Sequence, residues 1–226
     1  MYKKTVMLCV SFASMICLVA CGGKASSYKM EDVTIEKIVE ANSYEKVLEN
    51  HGEAYYDTKI YMGGDVDNGY LGYDHLIAKQ TENGISMIKS DACQSVETVR
   101  AIEKNDDGNW IYKEQSAGEE IIESSYVDET AAMDELESYN LMNRENVISE
   151  QINDISEEDG AYVVMTTKTV KDEAAARVVY YWINPVNLEL YAINETISTE
   201  TDYGDILYVT TYRYDEEPDF NISFYY

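Results

Sequence analysis

This chain is poor in proline, histidine and basic residues, and three of its four cysteines lie within its first 21 positions. The two prolines are Pro185 and Pro218, and no Pro-rich or Ser-rich linker divides the sequence. It therefore reads as one large folded unit. The two histidines, His51 and His75, are isolated, and no His-Glu-x-x-His, Cys-x-x-Cys or Gly-x-Ser-x-Gly spacing occurs. No catalytic residue, no metal ligand set and no cofactor motif is assigned on that basis. Lysine and arginine number 17 against 43 aspartates and glutamates, a net charge of −26. That balance excludes nucleic acid as an expected partner, because phosphate neutralisation needs clustered cations. It also leaves no polybasic patch for an anionic membrane.

Carboxylates are too abundant for any pair to be informative. Asp65-x-Asp67-x-Gly69 resembles the start of a calcium loop but fails it: glycine stands at the fifth position instead of the sixth, and Leu76 occupies the place of the bidentate glutamate. It reads as a hairpin turn.

What is present begins at the N-terminus. Lys3 and Lys4 precede an apolar run from Val6 to Val19, which ends in Leu18-Val19-Ala20-Cys21. The order of a positive segment, an apolar segment and a small residue before the cut is that of an export signal. The run is shorter than the roughly 20 residues a spanning helix needs. The last four residues resemble a lipobox. Residues 1–20 are read as a lipoprotein signal peptide, with cleavage between Ala20 and Cys21 and a diacylglyceryl group on the Cys21 thiol. Two or more acyl chains make a stable anchor where one does not. Residues 21–29 form a small, polar, lipidated tether, about 15 Å long on average. The expected location is extracytoplasmic, held to the cell membrane through Cys21. Cys93 is then left without a disulfide partner and reads as a small packed residue.

From Met30 to His51 the apolar spacing is helical: Ile35, Ile38 and Val39 form one stripe, and Tyr44, Val47, Leu48 and His51 another. Asn42-Ser43 breaks the first and caps the second, and Gly52 ends it. From Ala54 the period becomes two. Turn signals such as Asp67-Asn68-Gly69, Asn83-Gly84, Asp106-Asp107-Gly108, Asp159-Gly160 and Asn184-Pro185 separate strand-like runs. A helix interrupts them at Asp128 to Leu141, with Ala132, Leu136 and Tyr139 on one face. Phe220 to Tyr226 is expected to add an edge strand. The predicted fold is α+β: a large curved antiparallel sheet of about eleven strands, open as a half-barrel, with helices packed on its concave face. Residues 30–226 form the single domain.

That order of elements resembles the LolA-like superfamily, which includes the LolA and LolB lipoprotein carriers and the LppX/LprG lipoproteins. Tyr180-Tyr181-Trp182-Ile183-Asn184-Pro185-Val186-Asn187-Leu188-Glu189-Leu190 is similar to the aromatic strand, Asp-Pro or Asn-Pro turn and returning strand of those chains. Asn184 stands where the family often has Asp. The resemblance implies a half-barrel whose concave space, lidded by helices, takes acyl chains, with Met62, Met87, Met133, Met165 and Trp182 as candidate cavity-lining residues. The leading expectation is thus a non-enzymatic, anchored lipoprotein that binds or carries a hydrophobic, lipid-like ligand. The alternative is an envelope or cell-surface interaction module that uses the sheet exterior and its tyrosines to bind a protein or glycan. A carboxylate-based hydrolase is the third reading.

Overall fold

The computed structural model describes residues 27–93, 96–117, 119–125, 129–138, 140, 142–199 and 204–224. The predicted leader, including Ala20 and Cys21, lies outside them. The chain opens with a 3-10 turn at Met30–Asp32 and two short helices, α1 (Ile35–Ala41) and α2 (Tyr44–His51). The second helix is capped at Ser43 as its sequence predicts, and the first takes Thr34 as its cap. Thr34 Oγ1 accepts from the Lys37 amide at 3.4 Å, and Ser43 Oγ from the Lys46 amide at 3.3 Å. Gly52 ends α2 at φ 75°, the left-handed turn that glycine makes without strain.

Five hairpin-linked strands follow: β1 (Glu53–Met62), β2 (Tyr70–Thr81), β3 (Gly84–Cys93), β4 (Val96–Lys104) and β5 (Trp110–Ser116). A short β6 (Ile122–Ser125) closes this half at one edge of the sheet. Helix α3 (Glu129–Ser138) leads to the opposite edge, where β7 (Val147–Glu158) begins a second run through β8 (Ala161–Val170), β9 (Arg177–Ile183), β10 (Leu190–Ile197) and β11 (Ile206–Tyr214). Strand β11 pairs antiparallel with β1, Tyr56 opposite Tyr212, and joins both halves into one eleven-stranded antiparallel sheet. The sheet is open, with β6 and β7 as its edges. Fold class and strand number thus match the sequence expectation. The first turn also behaves as read. Asp65 Oδ1 accepts from the Asp67 and Asn68 amides, and a Cβ on Gly69 would stand 2.3 Å from the Met62 carbonyl oxygen, so only glycine closes the loop.

Side-chain alternation divides the sheet into two faces. On the inner face, Tyr56, Leu76, Met87, Ile102 and Trp110 pack with Val47 and Leu48 of α2 and with Ala132 and Leu136 of α3. Tyr162, Val164, Val179, Tyr181 and Ile193 pack with Val33, Ile35 and Ile38, and with Met142. All three helices therefore cover the same face. Neither seven-residue α1 nor eight-residue α2 would be stable alone in water; burial of their apolar stripes, about 25 cal/mol per Å², holds them.

The outer face carries a departure from expectation. Residues 220–224 form no strand. Phe220, Ile222 and Phe224 instead lie across the outside of the sheet against Tyr55, Ile77, Ile88 and Val99. A segment with apolar residues at every second position satisfies a sheet edge or a sheet face equally well by pattern. Here the outward Tyr55, Ile77 and Val99 supply an apolar face to cover.

Candidate functional site

Under α2 the inner wall is closely packed. The cavity between α2 and the sheet measures about 20 Å³ and is lined by Tyr44, Val47, Tyr56, Leu76 and Tyr212, among others. That is the space of one water molecule, against roughly 300–1,000 Å³ for ligand sites. The Tyr212 hydroxyl is buried with no protein partner. Burial also pushes the Tyr212 pKa far up, so it stays neutral.

The helices are tied to the wall at one end. Asn42, between α1 and α2, donates to the carbonyls of Ile38 at 2.7 Å and Leu188 at 2.9 Å, and accepts from the Leu190 amide at 2.9 Å. At the end of α2, His51 Nδ1 lies 2.7 Å from Asp215 Oδ2, and Nε2 makes an ion-pair contact with Glu189 Oε1 at 3.0 Å. The imidazole stacks on Tyr214 with ring centroids 4.6 Å apart. Burial alone would lower the His51 pKa, but the hydrogen bonds and charges of Asp215 and Glu189 outweigh it and raise the value. An open groove of about 970 Å³ runs beside this cluster, lined by Glu53, Lys79, Glu216, Glu217 and Phe220 among others. Its charges are largely matched within the protein, as in the Lys79–Glu53 pair at 2.7 Å.

Along the same strands, away from the helices, the inner wall turns ionic. Lys89 pairs with Asp74 at 3.0 Å, and Arg100 bridges Asp91 and Glu114. On the other half, Arg177 and Lys168 share Glu195, and Arg144 meets Glu150. The Glu150 side chain is fully buried and also accepts from Thr166 at 2.6 Å and Tyr181 at 2.7 Å. Burial raises the pKa of Asp74 despite its lysine partner. These cations are already engaged by carboxylates, so the wall presents neither an acyl-chain lining nor free charge. Among the described residues, no three His, Cys, Asp or Glu side chains gather as metal ligands.

The outer face has two unlike halves. Over β1 to β4 it is covered by the C-terminal segment, with Phe220 stacked on His75 at 4.1 Å and His75 on Tyr73 at 4.3 Å. Over β8 to β11 no described segment lies on it. Register places Met165 opposite Tyr180, Tyr180 opposite Asn194, and Val163 opposite Trp182, all on the outer side. Tyr180 and Trp182 stand side by side with centroids 6.1 Å apart, and Val178, two residues before Tyr180, is 39% exposed. Every outward side chain of β8 to β11 is uncharged except Arg213, at the border with the C-terminal segment, where Asp219 pairs with it at 3.3 Å.

The five cavity candidates are therefore dispersed. Met87 is buried beneath the helices and Met133 packs on the same cluster. Met62 is half-buried on the inner face at the far end of β1, opposite Ile206. Met165 and Trp182 are half-buried on the outer face, away from the helices. Alternation predicts Val178, Tyr180 and Trp182 on one side but not which side. Tyr181, equally aromatic, takes the inner place and leaves Trp182 outside. The Cys93 side chain lies outside the described residues. The inward charges Lys89, Arg100, Lys168 and Arg177 escape sequence reading, because alternation normally assigns charge to solvent.

No protein-family profile matches the chain, and no curated protein matches it. Among solved structures it is similar to the LolA superfamily protein NE2245 from Nitrosomonas europaea, at 11% identity and a TM-score of 0.30, over 83% of this chain and 96% of that one. It is also similar to the di-domain ARO/CYC StfQ of the steffimycin biosynthetic pathway, at 10% identity and a TM-score of 0.17, over 80% of this chain and 81% of that one. Scores this low carry no argument, so the reading of the site rests on the chain's own geometry.

Proposed function

We propose that this chain is a non-enzymatic, extracytoplasmic lipoprotein, anchored through acyl chains on Cys21 after cleavage behind Ala20, that works as an envelope binding module through the outside of its sheet. The observation that carries this reading is the uncharged outer face of β8 to β11, which no described segment covers, on a chain of net charge −26. Depletion of charge with enrichment of aromatic residues and Met is the composition of a contact surface. The short tether keeps that face close to the membrane.

Carriage of a hydrophobic ligand is the second reading. It draws on the largely apolar wall beneath α1 and α2, two helices short enough to lift, and on the resemblance to lipid carriers. With about 20 Å³ beneath them, the helices would have to part before an acyl chain entered.

Mass spectrometry of lipid extracted from the full-length protein purified from membranes separates the two. The module reading expects only the acyl chains covalently bound at Cys21. A further, non-covalent lipid in stoichiometric amount would sink it and favour the carrier. Cys21→Ser is expected to release the protein from the membrane or block its processing; full retention of a normally processed variant would contradict the anchor.

A further inference from the structure

We propose that the outer face of β8 to β11 is a stacking platform for an uncharged polysaccharide, centred on Tyr180 and Trp182. The proposal rests on the binding-module reading above and names the ligand class of that surface.

The first argument is charge. The chain carries 43 acidic residues, yet Met165, Val178, Tyr180, Trp182, Asn194 and Thr196, which make up the centre of this face, bear none. A polymer rich in phosphate or uronate would meet repulsion from the rest of the molecule at no compensating cation. A cationic one would find a carboxylate only at the border, where Asp154 of β7 stands opposite Met165. An uncharged polymer loses nothing on either count, since no ion has to be desolvated on either side. A second copy of the chain is disfavoured by the same net charge.

The second argument is shape and chemistry. A sugar ring has a face of C–H groups and a rim of hydroxyls. The aromatic face carries negative π density that attracts such C–H groups. Tyr180 and Trp182 lie two residues apart on β9, so both rings leave the same side of a strand held on each flank by a paired neighbour. Directly across the strands, Asn194 stands opposite Tyr180, while Thr196 and Thr167 flank Val178. An amide offers donors and an acceptor, and each hydroxyl offers both, without charge. Aromatic faces flanked by neutral hydrogen-bonding groups match the two surfaces of a sugar ring.

The third argument is the other half of the same sheet. There the outward apolar side chains are covered by the chain's own Phe220, Ile222 and Phe224. Over β8 to β11 the chain supplies no such cover from its described residues, and an external ligand fits that place.

The test uses the full-length protein in detergent, with chitin beads, amylose and xylan as uncharged probes and polygalacturonate as the anionic control. Retention is measured for the wild type, Trp182→Ala and Val178→Glu. The second variant adds a charge at an exposed site and touches no core contact, and circular dichroism confirms that both fold. The expected result is retention on at least one uncharged polymer, insensitive to added salt, and weakened about tenfold or more by each variant. Absence of retention on all three uncharged polymers, or equal retention by folded variants, overturns the proposal, as does binding only to polygalacturonate that salt reverses. A parallel pull-down on solubilised envelope distinguishes the levels. If the sugars fail but both variants still abolish capture of one specific envelope protein, the polysaccharide is wrong and the binding module stands. If capture is also unaffected, both fall.

Discussion

The outer face of this sheet shows two solutions to one problem. Over β1 to β4, the outward Tyr55, Ile77 and Val99 are buried by the C-terminal segment. Over β8 to β11, Val178, Tyr180 and Trp182 face outward with no such cover from the described residues, and Val178 is more than a third exposed. The covered half is core by another name, and its side chains contribute to stability. On the other half the cross-strand neighbours of Trp182, Val163 and Ala192, are buried, but Val178 is exposed and Tyr180 and Trp182 are only half-buried, which leaves these three side chains open to a partner. Fold and function should therefore respond oppositely to substitution in the two halves.

The largest expected effect is on the covered side. Ile222→Asp places a carboxylate at a position only 8% exposed, and should destabilise the protein by about 3 kcal/mol. Urea unfolding measures this; a loss below about 1 kcal/mol would mean that the segment rests on the sheet without holding it, and the contrast would collapse. On the inner wall, Arg144→Met leaves the fully buried Glu150 carboxylate short of its cation and should cost a similar amount, about 3 kcal/mol.

A smaller effect belongs to the end of α2. Because Asp215 and Glu189 raise the His51 pKa above its ordinary 6.5, the folded state holds the proton more tightly than the unfolded chain. That stability is fully present below pH 6.5 and is lost as pH rises through the folded value. After screening at this partly exposed site, the change is roughly 0.5–1 kcal/mol. In His51→Asn the pH dependence above 6 should flatten; an unchanged slope would place the titrating group elsewhere.

The smallest effect on folding falls on the bare side. Val178→Glu should change stability by no more than about 0.5 kcal/mol, as exposed positions do, and Trp182→Ala, at a half-buried site, should leave the protein folded. Trp182→Ala that unfolds the protein would make the bare half core as well and erase the distinction.

Much of this architecture was legible in the sequence, and the boundary is physical. Hairpin turns, the helix cap at Ser43 and the switch from helical to alternating period are local signals, and the elements follow them. Val147 to Ile155 has no clear period because β7 slips register twice, between Val147 and Ser149 and between Ile152 and Asp154. Long-range choices are not local. The β1–β11 pairing joins residues 144 to 160 positions apart. Which face of β9 meets the helices depends on that closure, so Met165 and Trp182 could not be placed from alternation alone. Asn42 reads as a helix breaker, and its clamp on the turn before β10 appears only when Leu188 and Leu190 arrive beside it.

The central claim is that the bare half is occupied in the envelope and the covered half is not available. Hydroxyl-radical footprinting of the full-length protein, on intact cells and after purification, tests it most directly. Protection of Tyr180 and Trp182 on cells, with exposed Tyr70 oxidised equally in both samples, is the predicted result. Equal oxidation of Tyr180 and Trp182 on cells and in the purified protein would contradict the account.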